Sequence, residues 1–336
     1  SPNKRIFLNI VATYGRSLFA LVRVNGVWSD PIDEERGVRE NGMSPGRRRG
    51  RGRDSLGRGE YGIIRVSGKG CSMEKAGMEK VKVGIVGCGF VGGALKTWLE
   101  ENNAANCTCR VSDPPKGFND DLGDVDVAFL QIHVPTEDDG TQDLTLMRSL
   151  IEGLPNVPVF VRTTILPGTS ARLSRETGHR VFYMPEFLTE RTHIEDFRRQ
   201  TMVFPVEGDA AALALLTRIF PGKRFAVMSS LEAEITKYSH NVFGAYKVTY
   251  FNAVKEYCEK MGADWAKVHT GCLLSGYIND THTYVPGPDG KCGYGGKCFP
   301  KDVNAFAKLT AGTPLGALLA PLHELNVHFR GFEEHI

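Results

Sequence analysis

The glycine-rich segment at residues 87–92 restricts the fold of this chain more than any other feature. It reads Gly-Cys-Gly-Phe-Val-Gly, follows a β-branched run at residues 81–86 and precedes a helix-like stretch from Ala94 to Glu101. In a strand–turn–helix unit the first glycine permits a tight turn. The second lets the backbone approach a diphosphate, and the third lets the helix pack closely on the strand. Because the helix also presents unpaired N–H groups to phosphates, the segment predicts a dinucleotide-binding turn.

An acidic residue lies at the distance from this turn that is typical of a ribose-binding carboxylate. Asp113 is 21 residues beyond Gly92, at the end of the second predicted strand. A carboxylate at this spacing accepts hydrogen bonds from the adenosine ribose and repels a 2′-phosphate, so NAD is expected rather than NADP. The alternative is a glycine turn in an unrelated α/β protein. The residues assigned to the cofactor from this motif are Gly87, Gly89, Phe90, Val91, Gly92 and Asp113.

Between residues 78 and 228, apolar runs alternate with helical segments. Such alternation predicts an α/β fold with a Rossmann-type, doubly wound parallel sheet over residues 78–228. From residue 229 the apolar spacing becomes helical, and residues 231–261 predict one long helix that ends at Gly262. Residues 229–336 are therefore expected to form an all-helical central domain, with a further helix starting near Asp302. The remaining predicted strands are residues 107–111, 125–134, 157–163 and 180–184.

Residues 1–77 differ from the rest of the chain. They contain fifteen Lys and Arg against eight Asp and Glu, although the whole chain has a net charge of only +2. One interpretation is a nucleic-acid-binding arm around the arginines of residues 47–53. We favour a basic, disordered extension, or sequence upstream of a start at Met73 or Met78, because no aromatic residues are interleaved with those arginines. No nucleic-acid partner is expected.

Composition narrows the class of protein further. No apolar stretch reaches the roughly 18 residues of a membrane-spanning helix, and no signal peptide is evident. The eight cysteines are scattered and form no paired C-x-x-C zinc pattern. We therefore expect a cytoplasmic protein with no membrane association and no metal site.

Cys298 is the strongest candidate for a nucleophile. It follows glycines at residues 293, 295 and 296 and lies between Lys297 and Lys301, whose charge is expected to favour the thiolate. Beside a nicotinamide cofactor, a thiolate can add to an aldehyde to give a thiohemiacetal. Oxidation then gives a thioester that water cleaves. The alternative is a buried structural cysteine.

Six segments, in chain order, point to a known family. They are residues 134–136, 163–169, 185–190, 232–241, 258–264 and 293–302. Over about residues 80–330 the chain resembles the UDP-glucose/GDP-mannose dehydrogenase family. The resemblance implies NAD-dependent oxidation of the C6 alcohol of a nucleotide sugar to a carboxylate. It also implies a homodimer formed through the long central helix.

The resemblance also implies a role for individual residues. Cys298 resembles the nucleophile, and Lys237 and Asn241 resemble the pair that holds the sugar and the reacting oxygen. Being four apart, these two share a helix face. Asp302 resembles the carboxylate that positions a water with Lys237. The remaining catalytic candidates are Glu186 or Glu190, as the base for thioester hydrolysis, and Thr164, which orients water.

Further residues are assigned to ligands by the same resemblance. Pro135, Thr136 and Thr164 are added to the cofactor site. The substrate site is expected to comprise Glu186, Phe187, Leu188, Lys237, Asn241, Tyr294, Gly295, Gly296 and Lys301. UDP-glucose is the first choice of substrate. The alternatives are GDP-mannose, a UDP-N-acetyl-hexosamine, or an inactive NAD-binding dimeric scaffold.

Three departures from the family pattern stand out. Family members continue into a third, nucleotide-binding domain, whereas this sequence ends at Ile336. His282 occupies a position where the family commonly has an arginine, and histidine is shorter and not reliably charged at neutral pH. Lys297 stands where a small residue is common. These departures are expected to affect binding of the nucleotide end of the substrate.

Overall fold

The computed structural model describes residues 64–65, 79–137 and 139–331. The predicted basic extension, residues 1–77, thus lies outside the described residues except for a two-residue strand, β1, at Ile64–Arg65. Within the described residues, none of the helices combines the length and the apolar character needed to cross a bilayer.

The main sheet has six strands in the order β4-β3-β2-β5-β6-β7. Five run parallel, and β4 pairs antiparallel with β3 at the edge. This order, with its reversal at β2, is that of a doubly wound dinucleotide-binding sheet, which confirms the predicted fold class. The strands are β2 Val81–Val86, β3 Cys107–Asp113, β4 Phe118–Asn119, β5 Val127–Leu130, β6 Val159–Val161 and β7 Val181–Tyr183.

Strand β2 is the centre of this sheet. Its Ile85 is paired with Val111 of β3 on one side and with Phe129 of β5 on the other. The chain therefore leaves β2 at the point where the strand order reverses, which is where open α/β sheets bind ligands. The glycine segment at residues 87–92 begins immediately after this strand.

Helices cover both faces of the sheet. One core contains Val83 and Ile85 together with residues of α1 and α5, and the other contains Val86 and Leu130 with residues of α2 and α3. Burial on both faces explains why the strands are short, almost uninterrupted apolar runs. The helices of this half are α1 Phe90–Asn102, α2 Thr145–Glu152, α3 Thr169–Thr177, α4 His193–Arg199 and α5 Ala210–Ile219.

The sequence interpretation missed two strands of a second sheet. Strands β8, Met202–Phe204, and β9, Arg224–Val227, pair in parallel, with Val203 opposite Ala226. Segments of three or four residues are too short for alternation to be distinguished from an isolated apolar cluster. Helix α5 connects the two strands. They are recognised as strands only because they pair with each other in the folded structure.

The helical half is built around α6, Ser230–Met261, which has 32 residues. It starts with a capping box in which Ser229 and Glu232 exchange hydrogen bonds, and it ends at Gly262, which has a φ of 69°. The predicted long helix and its stop are therefore confirmed. The other helices are α7 Trp265–Leu274, α8 Phe299–Leu309, α9 Pro314–Leu319 and α10 Leu322–Arg330.

Glu234 joins α6 to the part of the structure that contains the main sheet. Its fully buried carboxylate accepts hydrogen bonds from the N–H groups of Gly168, at 2.6 Å, and Ser170, at 2.9 Å. These groups lie at the start of α3, where helical N–H groups have no partner within the helix. The contact fixes the first turn of α6 against the sheet and so sets the position of Lys237 and Asn241 in the following turns.

We predict that Gly92→Ala and Gly93→Ala differ sharply, although the two residues are adjacent in α1. A Cβ at Gly92 would overlap the carbonyl oxygen of Gly87, whereas a Cβ at Gly93 would meet no atom within 4 Å. Gly92→Ala should lower the free energy of unfolding by about 1–3 kcal/mol. Gly93→Ala should raise it by about 0.5–1 kcal/mol, since alanine favours the helix. Urea denaturation of the two variants measures this, and equal effects would contradict the packing argument.

Candidate functional site

The glycine turn is closed on its inner side and open on its outer side. Gly87 has a φ of 83°, and a Cβ there would overlap the carbonyl of Gln131. At Gly89 the nearest atom to an added Cβ is Nζ of Lys116, at 3.7 Å. The first and third glycines therefore serve internal packing, as Gly92 also shows, and the second leaves the backbone accessible. This is the division of roles that a diphosphate site requires.

Asp113 lies beside this turn. Its Oδ2 accepts a hydrogen bond from the N–H of Cys88 at 2.7 Å and is 3.4 Å from Nζ of Lys116. Lys116 also donates to the carbonyl of Cys88 at 3.1 Å. The expected ribose ligand is thus placed at the edge of the turn. Lys116, which the sequence argument overlooked, follows Asp113 by one turn of a 3-10 helix at Pro114–Lys116.

The cofactor loop, which we define as residues 135–137 and 139–143, contributes an unpaired polar atom. Oγ1 of Thr136 is buried and has no hydrogen-bond partner in the protein. A buried hydroxyl of this kind is costly unless a ligand or water pairs with it. Together with the open glycine turn and Asp113, this orphan hydroxyl fits a bound dinucleotide. Phe90 and Val91 form the first turn of α1, next to the same opening.

A buried ion pair joins the sheet edge to α6. Nζ of Lys237 donates to Oε1 of Glu186 at 2.9 Å and to the backbone carbonyl of Glu186 at 2.6 Å. Lys237 is 4% exposed and Glu186 is 6% exposed. Leu188 donates its N–H to Glu186 at 2.7 Å, and Lys237 lies 5.7 Å from the centre of the Phe187 ring. Four of the predicted site residues therefore form one cluster.

A second cluster joins α6 to α8. Nδ2 of Asn241 donates to Oδ2 of Asp302 at 2.6 Å, and Nζ of Lys301 contacts Oδ1 of the same carboxylate at 2.6 Å. Asp302 is only 1% exposed, and each of its oxygens has a partner in the protein. Lys237 and Asn241 are one helical turn apart, and this spacing brings the two clusters next to each other.

Cys298 stands at the N-cap of α8, with its backbone carbonyl accepting from the N–H of Asp302 at 3.1 Å. The residue is exposed, as a nucleophile requires. The pKa of its thiol is nevertheless raised, first because surrounding protein reduces its hydration and second because of the Asp302 carboxylate. Lys301 and Lys237 lower the pKa but do not outweigh these effects. The net effect of the surroundings on the Cys298 pKa is thus opposite to the expectation that flanking lysines favour the thiolate.

Some predicted site residues lie apart from these clusters. Glu190 is exposed in the turn before α4, where its backbone carbonyl contacts His193, and residues 186 to 190 form no helix. Tyr294 is 3% exposed, and its hydroxyl donates to the carbonyl of Leu322 at 3.2 Å. The Tyr294 side chain therefore packs in the helical core. A Cβ at Gly295 would overlap the Arg330 guanidinium, so that glycine serves close packing.

The structure also reveals a charged residue that the sequence interpretation did not single out. Arg162 follows β6 and is 1% exposed, yet none of its guanidinium nitrogens has a hydrogen-bond partner. Burial lowers the pKa of Arg162 to about 10, and the nearby charge of Glu186 opposes this shift. Its guanidinium lies 5.3 Å from the centre of the Phe197 ring. An arginine directly after a buried apolar strand was the available signal.

Thr164 lies between the cofactor loop and α6. It is 8% exposed, and its carbonyl accepts a hydrogen bond from Gln142 at 3.2 Å. Within the part of the chain that the structure describes, no group of three or more His, Cys, Asp or Glu side chains is arranged to hold a metal ion. The site is therefore one of charged and amide side chains around an exposed thiol.

Comparison with known proteins now bears on this site. The model of the UDP-glucose/GDP-mannose dehydrogenase family, central domain, matches residues 231–326, which include Lys237, Asn241, Cys298 and Asp302. Residues 231–326 are therefore similar to the central domain of this family. This family is NAD-dependent.

Curated relatives extend the similarity into the dinucleotide-binding half. The UDP-glucose 6-dehydrogenase of Rhizobium meliloti (strain 1021) is 34% identical over 215 residues, which cover 57% of this chain and 48% of the relative. That of Pseudomonas aeruginosa is 31% identical over 208 residues, covering 56% and 45%. The chain thus spans about half the length of the curated relatives that it matches.

Solved structures confirm the fold. A UDP-glucose dehydrogenase from Pyrobaculum islandicum is similar with a TM-score of 0.61 and 23% identity, covering 75% of this chain and 69% of the other. A UDP-D-ManNAc dehydrogenase from Pyrococcus horikoshii gives 0.58 and 18%, covering 73% and 68%. These similarities support an α/β fold followed by a helical central region.

We predict opposite effects of Asp302→Asn and Lys301→Met on the reactivity of Cys298. The Asp302 carboxylate raises the thiol pKa and the Lys301 ammonium lowers it. Below the pKa, one unit changes the thiolate fraction about tenfold. Alkylation of Cys298 by iodoacetamide at pH 7.5, followed by peptide mass spectrometry, should therefore become about threefold to tenfold faster in Asp302→Asn and slower in Lys301→Met. A change in the same direction for both variants would contradict this assignment of charges.

Proposed function

We propose that the protein is an NAD-dependent nucleotide-sugar 6-dehydrogenase that oxidises the C6 alcohol of UDP-glucose to a carboxylate. The observation that carries the proposal is the position of Cys298. It is an exposed thiol at the start of α8, and the charges of Asp302, Lys301, Lys237 and Glu186 all act on it. An exposed cysteine among these groups can form and release a covalent intermediate.

The dinucleotide-binding half, residues 78–228 in this proposal, holds the cofactor. The glycine turn and the first turn of α1 would bind the diphosphate, and Asp113 would bind the adenosine ribose. Pro135, Thr136 and Thr164 would line the nicotinamide end, where the unpaired Thr136 hydroxyl supplies a hydrogen-bonding group. When bound, NAD accepts a hydride in each of the two oxidation steps.

Lys237 and Asn241 act on the reacting oxygen in the first oxidation. Asp302 accepts a hydrogen bond from Asn241, which orients this amide, and the carboxylate can hold a water that takes the proton of the C6 hydroxyl. The Lys237 ammonium stabilises negative charge on the same oxygen as the alcohol becomes an aldehyde. The residues 229–336 that supply these groups form the second, helical domain of this proposal.

The thiol of Cys298 then allows a second oxidation, so the overall reaction removes four electrons from the sugar. Its sulfur adds to the aldehyde carbon and the oxygen takes up a proton, which gives a thiohemiacetal. Loss of hydride and proton from this adduct gives a thioester. Water attacks the thioester carbon, the C–S bond breaks, and the sulfur leaves with a proton. The products are a carboxylate and the free thiol.

Glu186 is better placed than Glu190 to assist the hydrolysis. Glu186 is buried in the same cluster as Lys237, whereas Glu190 lies exposed in the turn that precedes α4. The proposal therefore assigns the base to Glu186. Phe187, Leu188, Lys301 and the backbone of Gly295 and Gly296 are the remaining residues assigned to the sugar.

We further propose that the protein is a homodimer formed through α6. One side of this helix carries large exposed apolar side chains at three-, four- and seven-residue spacings. They are Phe243, Tyr246, Tyr250, Tyr257 and Met261. A contiguous apolar face of this size on a single chain is typical of an interface. The expected cytoplasmic location stays a prediction.

Purified protein incubated with NAD and a panel of nucleotide sugars tests the activity. UDP-glucose should produce about two NADH per sugar oxidised, since both oxidations occur before release. GDP-mannose and UDP-N-acetyl-hexosamines are the competing substrates, and faster NADH formation with either would replace UDP-glucose. The Cys298→Ser variant should lose roughly 1,000-fold or more in sustained turnover, because an oxygen ester cannot substitute efficiently for the thioester. Undiminished NADH formation by this variant would remove the covalent steps.

Phe243→Glu should shift the protein towards monomer in sedimentation velocity experiments, because it places a charge on the apolar face of α6 at its most exposed side chain. Leu146→Glu is the matched control, since Leu146 is a comparably exposed apolar residue on α2 of the other half. The control should sediment as the unmodified protein does. A Phe243→Glu protein that remains dimeric would exclude this face as the interface.

A further inference from the structure

We propose that Gln142 is a positioning residue that couples the cofactor loop and Thr164 to helix α6. The inference deepens the proposed function and rests on it, because the groups that Gln142 joins are those assigned to the cofactor and to the reacting oxygen. Nothing in the sequence marks this glutamine, which lies in a polar loop between β5 and α2.

The backbone of Gln142 is part of the cofactor loop. Residues Thr136 and Gln142 form an isolated antiparallel bridge across the loop. Two further backbone bonds close it, from the N–H of Asp143 to the carbonyl of Pro135 at 3.1 Å and from the N–H of Glu137 to the carbonyl of Thr141 at 2.9 Å. Gln142 is therefore directly opposite the residues that are expected to contact the cofactor.

The side-chain amide of Gln142 leaves this loop and makes three contacts. Oε1 accepts from the N–H of Leu166 at 2.9 Å, and Nε2 donates to the carbonyl of Thr164 at 3.2 Å. Nε2 also donates to the hydroxyl of Tyr238 at 3.4 Å. Because both N–H groups and the carbonyl oxygen are used, the amide has one orientation, and it holds the backbone on both sides of Ile165.

Tyr238 carries the connection into the helical half. It follows Lys237 in α6, is fully buried and stacks on Phe306 of α8 with ring centres 5.1 Å apart. Burial raises the pKa of Tyr238, so its hydroxyl remains protonated. Phe306 lies four residues after Asp302, one turn along α8. A shift of Gln142 would therefore displace the cofactor loop, Thr164 and α6, the helix that bears Lys237.

Close packing on the opposite side of the loop makes the amide contacts specific. A Cβ added to Gly140 would lie 3.2 Å from Cα of Ala305 and 3.3 Å from Cβ of Lys308, both in α8. The loop has little room to approach α8 further, and the Gln142 side chain spans the gap that remains towards Thr164. The length and the amide group of glutamine are both needed there.

The main test compares Gln142→Ala with Asn103→Ala. Asn103 is a matched control, since its buried amide also bridges two carbonyls, those of Arg218 and Ile219, both at 2.9 Å. It lies at the end of α1, just before the start of β3, whereas Gln142 lies in the loop that follows the carboxyl end of β5. In a titration followed by NADH fluorescence, Gln142→Ala should raise the dissociation constant of NADH about fivefold or more, and Asn103→Ala should leave it within about twofold.

Kinetics with the nucleotide sugar separate positioning from general stability. Gln142→Ala should lower kcat about tenfold while KM for the sugar changes less than about twofold, because sugar contacts are intact and the reacting groups are misplaced. Gln142→Glu should be at least as impaired, since a carboxylate would face the Thr164 carbonyl without a donor. Combining Gln142→Ala with Tyr238→Phe should cost little more than Gln142→Ala alone, because Tyr238→Phe removes the hydroxyl that the Gln142 amide contacts.

Three results would overturn the inference. An unchanged NADH dissociation constant in Gln142→Ala is one, and it applies even if no nucleotide sugar is oxidised. An equal rise in Asn103→Ala is the second, because it would reduce the effect to lost stability. Full additivity with Tyr238→Phe is the third. Failure of every sugar in the panel, with the NADH effect of Gln142→Ala intact, would reject the proposed activity and retain the coupling. A wild-type protein that binds no NADH would reject both.

Discussion

The buried ion pair between Lys237 and Glu186 is the interaction on which the site depends. It spans the boundary between the sheet edge and α6, with nitrogen and carboxylate oxygen 2.9 Å apart. Removing two charges from water is expensive, and their attraction compensates only when geometry and additional hydrogen bonds are favourable. Here the Glu186 carbonyl and the Leu188 N–H supply those bonds. The pair places a cation next to the thiol and fixes α6 relative to β7.

The same region contains further buried charged groups besides this ion pair. Asp302 is held by Asn241 and Lys301, and Arg162 is buried behind Glu186 without hydrogen-bond partners. Unpaired buried cations are costly, so their presence here marks a position where electrostatic potential matters more than stability. Two cations, Lys237 and Lys301, and two carboxylates, Glu186 and Asp302, act on the exposed thiol. The buried charge of Arg162 adds a positive contribution near Glu186, which would help to stabilise an oxyanion in the proposed reaction.

Much of the fold followed from local pattern. The β-branched run before the glycine turn predicted β2, and the apolar spacing of residues 231–261 predicted α6 almost to its ends. Asp113 lies at the end of β3 as its spacing indicated. Strands β8 and β9 were missed because three or four residues carry no usable period. The helical start of α8 was displaced by three residues because Pro300 already favours the first turn of a helix.

The sequence by itself determined which side chains are available for chemistry: a glycine turn with its acidic partner, two helix residues one turn apart, and a cysteine before a helix. Each of these is encoded within a few consecutive residues. Only the tertiary structure decided their environment. The pKa of Cys298 is raised although lysines flank it, because the surrounding protein reduces the hydration of the thiol and the Asp302 carboxylate adds to the shift. The hydration of the thiol and the charges of Lys237 and Glu186 depend on segments that are far apart in the chain, and no local pattern contains those distances.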